Sequence, residues 1–254
     1  MEPLAYRSRV GRWLPAAERV SEVVASIDAL IMDFDGLMID SEYQIAMATL
    51  EILSRRGADL TMDEIGHLFG PVDNEHEWES LMQRLFAGSF TVADLDAALA
   101  VLLTPDFDEL PLLPGVIDLL DAAGACGWRL GLATGQRPAR LEVHLRRLGL
   151  ADRFDAVVTS SEVEHGKPAP DIYREVAHRL HVLPGSCLVV EDSLPGCQAA
   201  LAAGTSVIIC PSRVSAGCDF PEAITLVSSL TEVGLKAWVR GVGAVEERIR
   251  HHLT

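Results

Sequence analysis

Ile27-Asp28-Ala29-Leu30-Ile31-Met32-Asp33-Phe34-Asp35-Gly36 is the stretch that decides the fold of this chain. Residues 27–34 are compact and largely apolar, as expected of a buried strand. In an extended segment the side chains at i and i+2 point the same way, so Asp33 and Asp35 can face one substrate. Gly36 lets the chain turn sharply straight afterwards. Residues 128–134, 156–159, 187–190 and 206–210 repeat the short apolar pattern. Between them, residues 115–123, 139–148, 171–180 and 196–203 have helical composition or spacing. This alternation predicts an α/β fold, a parallel sheet covered by helices. Ligands of such sheets gather at the carboxyl ends of the strands.

Residues 41–111 break the rhythm. They read as helical throughout, with helix-start signals at Ser41 and Gln44, Thr61 and Glu64, and Thr91 and Asp94. The expectation is a small helical unit at 41–111, inserted after the first strand and returning through Pro111 and Pro114. The main body then comprises residues 27–40 and 112–254, and residues 1–26 form an N-terminal extension, either an arm or an extra helix.

Bulk properties narrow the function. A chain of 254 residues with 49% hydrophobic residues can bury a sizeable core in one large or two smaller domains. Thirty-seven acids against 21 Lys and Arg give a net charge of −16, which argues against nucleic acid as a broad-surface partner. A small anionic substrate stays open, because a bound cation reverses the local field. No apolar run is long enough to suggest a membrane span, and Arg7, Arg9, Arg12 and Arg19 have no apolar stretch behind them, so neither a membrane partner nor a secretory leader is expected. The five cysteines show no metal-finger or C-x-x-C spacing, and Cys126, Cys187 and Cys210 read as buried thiols. A reduced, cytoplasmic protein is expected.

Four strand ends carry the candidate chemistry: Asp33 and Asp35, then Thr134, then Lys167 held between Gly166 and Pro168, then Glu191-Asp192 before Ser193 and Pro195. A carboxylate attacking a phosphate ester approaches a group that is already negative. At 4 Å and an effective dielectric of 20, each unit-charge repulsion is roughly 4 kcal/mol. Asp33, Asp35, Glu191 and Asp192 in one pocket would also repel one another. A hard dication relieves both problems, and magnesium favours one or two carboxylates together with phosphate oxygens and water. Lys167 would add positive charge toward the phosphoryl oxygens, and Thr134 a hydrogen bond. Asp33 is then the candidate nucleophile and Asp35 the candidate general acid and base. Each group alone has a bland reading as a strand-end cap, a solvated charge or a helix-start pair; their coincidence at successive strand ends carries the reading.

The run from Asp33 to Glu42, Asp33-Phe34-Asp35-Gly36-Leu37-Met38-Ile39-Asp40-Ser41-Glu42, resembles the first motif of the haloacid dehalogenase superfamily. Thr134, the stretch Gly166-Lys167-Pro168-Ala169-Pro170-Asp171, and Glu191-Asp192-Ser193-Leu194-Pro195-Gly196 are similar to its remaining motifs, in order. The pattern is most like the subgroup of β-phosphoglucomutase and small-metabolite phosphatases. That resemblance implies a Rossmann-like core with a helical cap. It further implies magnesium held by Asp33, the backbone carbonyl of Asp35, and Asp192, with Glu191 a further ligand or a water-mediated partner.

Two departures bear on the activity. Many relatives follow the second-motif hydroxyl with a side chain that helps hold phosphate, whereas here it is Gly135, leaving backbone N–H groups or Gln136. Mutase-like relatives carry a cap arginine that grips a second phosphate, whereas Gly70 here is followed by Pro71-Val72-Asp73-Asn74, with no arginine until Arg84. The sequence therefore favours a phosphatase acting on a small phosphorylated metabolite, a sugar or polyol phosphate, with a phosphomutase as the alternative. A non-catalytic metabolite-binding protein on this fold is a third reading, against which the intact acidic set argues. The acidic run at residues 73–79 reads either as a solvated helix start with Trp78 packed inward or as a selector of cationic or hydroxyl-rich leaving groups. His67, His76 and Arg213 are further candidates for substrate contact.

Overall fold

The computed structural model describes residues 26–69, 75–103, 109–221, 223 and 225–233. The expected N-terminal extension, except for Ser26, and residues 70–74 lie outside these residues. Six strands form one parallel sheet: β1 (Ala29–Met32), β2 (Arg129–Thr134), β3 (Ala156–Thr159), β4 (Cys187–Glu191), β5 (Ser206–Ile209) and β6 (Thr225–Leu226). Their order across the sheet is β3-β2-β1-β4-β5-β6. β1 pairs with β2 on one side and β4 on the other, so the strand order reverses at β1. A crevice opens at the carboxyl ends of the strands at such a reversal, and Asp33 stands one residue beyond β1.

The helices of the main body are α5 (Val116–Ala125), which precedes β2, and α6 (Pro138–Arg147), α7 (Asp171–Arg179) and α8 (Leu194–Ala203), which follow β2, β3 and β4. The sheet separates two apolar clusters. Leu30, Met32, Leu132 and Val190 pack with Leu119, Leu120 and Leu141 in one. Ala29, Ile31, Val189 and Val207 pack with Ile172, Val176 and Ala200 in the other. Alternate residues of β1 serve opposite clusters, the period of two that a strand requires. That double burial explains why residues 29–32 are all apolar.

Between β1 and β2 the described chain is helical: α1 (Ser41–Ser54), α2 (Met62–Ile65), α3 (Glu75–Phe86) and α4 (Val92–Leu102). These helices have their own buried cluster, with Ile52, Leu53, Ile65, Leu81, Met82 and Leu95. Thr61 with Glu64 and Thr91 with Asp94 form the expected capping boxes. Ser41 departs from its expected role: Asp40 is the N-cap of α1 and no side chain caps the helix. The way out and the way back run side by side, joined by an antiparallel bridge between Ile39 and Leu112 and by the Leu113 N–H donating to the Met38 carbonyl at 2.8 Å. The helical segment also approaches the main body at Gly66, where an added Cβ would lie 2.9 Å from the carbonyl oxygen of Val214.

Among the described residues, no helix is long and apolar enough to cross a membrane. All five cysteines are free, and burial pushes the thiols of Cys187, Cys197 and Cys210 up to about 12. Those three are inert as nucleophiles near neutral pH. Cys126 is only half-buried, contrary to the sequence reading, because it lies just after α5, at the edge of the body.

Candidate active site

Asp33, Thr134, Glu191 and Asp192 sit at or just beyond the ends of β1, β2 and β4, and Lys167 reaches them from the loop before α7. The Asp33 N–H donates to the Val190 carbonyl at 3.1 Å, which fixes the first residue after β1 against β4. Asp33 is 6% exposed, Lys167 7%, and Glu191 and Asp192 essentially buried, so their charges act in a poorly screened environment.

Lys167 Nζ bridges the acids. It donates to Asp33 Oδ1, to Glu191 Oε1 at 2.6 Å and to the Ala133 carbonyl at 3.2 Å. Burial opposes the charge of Lys167, but Asp33 and then Glu191 outweigh it and hold the ammonium well above the usual lysine range. Glu191 is fully subscribed. Its Oε1 also accepts from the Tyr173 hydroxyl, and its Oε2 accepts from the N–H groups of Asp192 at 3.1 Å and Ser193 at 3.2 Å and from the Ser193 hydroxyl at 3.0 Å. Gly196, in the first turn of α8, permits this: a Cβ there would fall 1.9 Å from Glu191 Oε1. Gly196→Ala is therefore expected to destabilise the fold by about 1–3 kcal/mol, the usual range for overpacking a filled interior. Urea unfolding checks it, and an unchanged midpoint would contradict the close seating of helix on carboxylate.

Asp35, half-buried, is held from the other direction. Its Oδ1 accepts from the Ser41 hydroxyl at 2.6 Å and the Gln136 side-chain amide at 2.9 Å, while the Thr134 hydroxyl approaches Oδ2 at 3.4 Å. Ser41 has exchanged a helix-capping role for this contact. Gln136 also donates its backbone N–H to Thr134 Oγ1 at 3.0 Å, so it is committed to the Asp35–Thr134 pair. Gly135 faces open space, with nothing within 4 Å of an added Cβ.

The acids crowd one another. Burial pushes Asp33 up to about 8 although Lys167 pulls the other way, and burial followed by Glu42 holds Asp192 well above the usual carboxylate range. Glu42, in the first turn of α1, is raised by burial and then by Asp35 and Asp33. Ligand oxygens of Asp33, Glu191 and Asp192 lie within 4.8 Å of one another. Both carboxylate oxygens of Asp192 are buried without a hydrogen-bond partner among the described residues. Gly36, at φ +78°, shapes this space, since a Cβ there would fall 2.2 Å from Asp192 Oδ2. Unpaired buried carboxylate oxygens are costly unless a cation meets them. An oxygen-only donor set suits a hard divalent ion, so the residues present fit magnesium.

Other sequence candidates fall elsewhere. Arg213 is paired with Asp40 at 3.3 Å and stacks on Tyr43, 3.4 Å from the ring centroid, so its contacts lie at the start of α1. His67 and His76 are exposed on the helical segment. Glu75, Glu77 and Glu79 are exposed on α3, while Trp78 packs edge-on against Phe69 at 5.5 Å. That is the bland reading of the acidic run; Asp73 and Asn74 lie outside the described residues. Sequence reasoning missed Tyr173, which stands six residues beyond Lys167 and reads as an ordinary core aromatic on α7.

Comparison with known proteins agrees with this geometry. Residues 27–204 match the family model for haloacid dehalogenase-like hydrolases. Hexitol phosphatase B of Escherichia coli K12 is 31% identical over 223 residues, covering 82% of this chain and 95% of that protein. Among solved structures, CbbY from Rhodobacter sphaeroides in complex with phosphate superposes with a TM-score of 0.63 at 28% identity, covering 82% of this chain and 96% of that one. A HAD family hydrolase from Deinococcus radiodurans R1 with bound phosphate and sodium gives a TM-score of 0.68 at 26% identity, covering 86% and 98%. With the acidic cluster at the strand-order reversal and this match across most of its length, the chain belongs to the haloacid dehalogenase-like hydrolases.

Proposed function

We propose that this enzyme is a magnesium-dependent phosphatase that hydrolyses a small phosphomonoester, a sugar or polyol phosphate, through an aspartyl-phosphate on Asp33. The observation that carries the reading is the pairing of Asp33 with Lys167 beside the unpartnered carboxylate of Asp192. One group is poised to attack, one to balance charge and one to receive a cation. The named hexitol phosphatase relative supports the choice of substrate class.

Asp33 attacks phosphorus, and the bond from phosphorus to the ester oxygen breaks. Asp35, steered by Ser41 and Gln136, gives its proton to the departing oxygen, so an alcohol leaves. Asp35 then takes a proton from the water that attacks the phosphorus, releasing inorganic phosphate and restoring Asp33. Lys167 and the Thr134 hydroxyl steady the phosphoryl oxygens. Asp33, the Asp35 carbonyl and Asp192 would hold magnesium, which would supply charge neutralisation when bound. Glu191 serves behind them, because its oxygens already accept from Lys167, Tyr173, Ser193 and two backbone N–H groups. The helical segment at 41–111 acts as the cap over this crevice, and the protein works in the cytoplasm.

A panel of sugar, polyol, acyl and amino-bearing phosphate esters tests the assignment through release of inorganic phosphate. Polyol and sugar phosphates are expected to lead the panel. Conversion of one phosphate isomer to another without phosphate release would instead establish the mutase.

Metal binding has its own signature. The folded-state pKa of Asp33, about 8, lies above its ordinary value of 3.8. Its contribution to stability is therefore full below the ordinary value and is lost as pH rises through about 8. Magnesium meets the ionised carboxylates, so the rise in Tm it produces is expected to be larger at pH 8 than at pH 5. Equal rises at both would contradict binding among these acids.

A further inference from the structure

We infer that Tyr173 is a positioning residue whose hydroxyl keeps Glu191 turned toward Lys167 and so sets which metal the neighbouring carboxylates prefer. The inference rests on the magnesium site proposed above and extends it to a buried residue behind Glu191. Tyr173 is completely buried on α7, and its ring packs in the apolar cluster with Ile31, Val176 and Val189. A phenylalanine would fill that place equally well. What the hydroxyl adds is one donor to Glu191 Oε1, the oxygen that also accepts from Lys167 Nζ. The ring meanwhile lies 5.2 Å from the same ammonium, close enough for a cation–π contact.

The consequence lies in the lone pairs of Glu191. Each carboxylate oxygen offers about two acceptor positions. The Glu191 carboxylate receives five donors, two on Oε1 and three on Oε2. No position is left for a metal, although Glu191 has an oxygen within 4.8 Å of those of Asp33 and Asp192. On Oε2 two of the three donors are backbone N–H groups that no substitution withdraws, and the third, the Ser193 hydroxyl, also accepts from the Gly196 N–H, so removing it would uncap α8. On Oε1 the Tyr173 hydroxyl is the donor that one substitution removes without touching charge or shape.

Freeing that position lets Glu191 act as a further oxygen ligand. Calcium takes 6–8 oxygens in flexible geometry, whereas magnesium demands a near-ideal octahedron. An added carboxylate therefore favours calcium. It also draws Glu191 away from Lys167, the group that balances Asp33. Partners behind metal ligands typically change affinity or activity by about 10–100-fold.

The test is Tyr173→Phe, assayed by isothermal titration of the metal-stripped protein with magnesium and, separately, calcium, with no substrate present. Thermal denaturation in EDTA verifies folding. The calcium-to-magnesium affinity ratio is expected to rise about tenfold, with kcat in magnesium falling about tenfold. The same substitution in a Glu191→Gln background closes the cycle. If the hydroxyl acts through the carboxylate, its effect on the ratio disappears there. A ratio within about twofold of the parent, or an equal change in both backgrounds, overturns the inference and leaves the phosphatase reading standing. Failure of the parent protein to bind magnesium overturns both.

Discussion

Asp33→Asn is expected to reduce kcat by at least about 10⁴-fold while the protein stays folded. Removing a nucleophile that acts as a unit with its neighbours costs between about 10⁴- and 10⁶-fold in well-studied hydrolases. An amide is isosteric with the carboxylate but cannot donate the electron pair that forms the aspartyl-phosphate. The fold should survive for a specific reason. Asp33 lies among Glu191, Asp35 and Lys167, and burial already pushes its carboxyl up to about 8. An uncharged side chain of the same shape relieves that crowding, and Lys167 keeps Glu191 as a partner. Steady-state phosphate release and a thermal melt on the same preparation read both halves. Robust magnesium-dependent turnover by Asp33→Asn would remove Asp33 from the chemistry.

Lys167→Met is expected to fail differently, losing stability as well as activity. The methionine follows much of the lysine stem but withdraws the cation that lies between Asp33 and Glu191. Breaking a buried ion pair by removing one partner costs about 3–5 kcal/mol, because the remaining charge is stranded. Here both Asp33 and Glu191 lose their cation. Urea unfolding in EDTA should show that loss, and added magnesium should recover part of it by taking over the neutralisation of Asp33. Turnover should drop by about 10³-fold or more even where the variant is folded, as for other cationic groups that stabilise phosphoryl transfer. A variant within about 1 kcal/mol of the parent would mean that Lys167 does not balance those acids, against its contacts on all sides.

The parts of the site that were legible in the sequence share one property: they lie at ends of strongly patterned elements. The apolar strand before Asp33, the run before Glu191 and the small-residue helix after it announce their own boundaries. The candidate groups are whatever polar residues stand at those boundaries. The helical segment was legible through Thr61 with Glu64 and Thr91 with Asp94, since a capping box is a local device that needs no tertiary partner.

What escaped depends on contacts between residues far apart in sequence. Ser41 has the same local signal as the other two helix starts, yet its hydroxyl goes to Asp35, because the turn at Gly36 folds that carboxylate back over the helix start. Nothing at Tyr173 distinguishes a core aromatic from one whose hydroxyl enters the site, because the difference is made by Glu191 on another element. β6 is two residues long and carries no periodicity to read, so only its pairing with β5 reveals it. Arg213 follows the last long strand, as a phosphate contact would, but Asp40 and Tyr43 claim it.

The most direct test of the central claim is to find where the phosphate goes. The enzyme, mixed with a sugar or polyol phosphate in magnesium and quenched in acid during turnover, is digested and its peptides examined by mass spectrometry. A phosphate on the peptide containing Asp33, absent when the metal is chelated and absent from Asp33→Asn, is the predicted result. A phosphate on any other residue, or steady phosphate release by Asp33→Asn in the same experiment, would contradict the account.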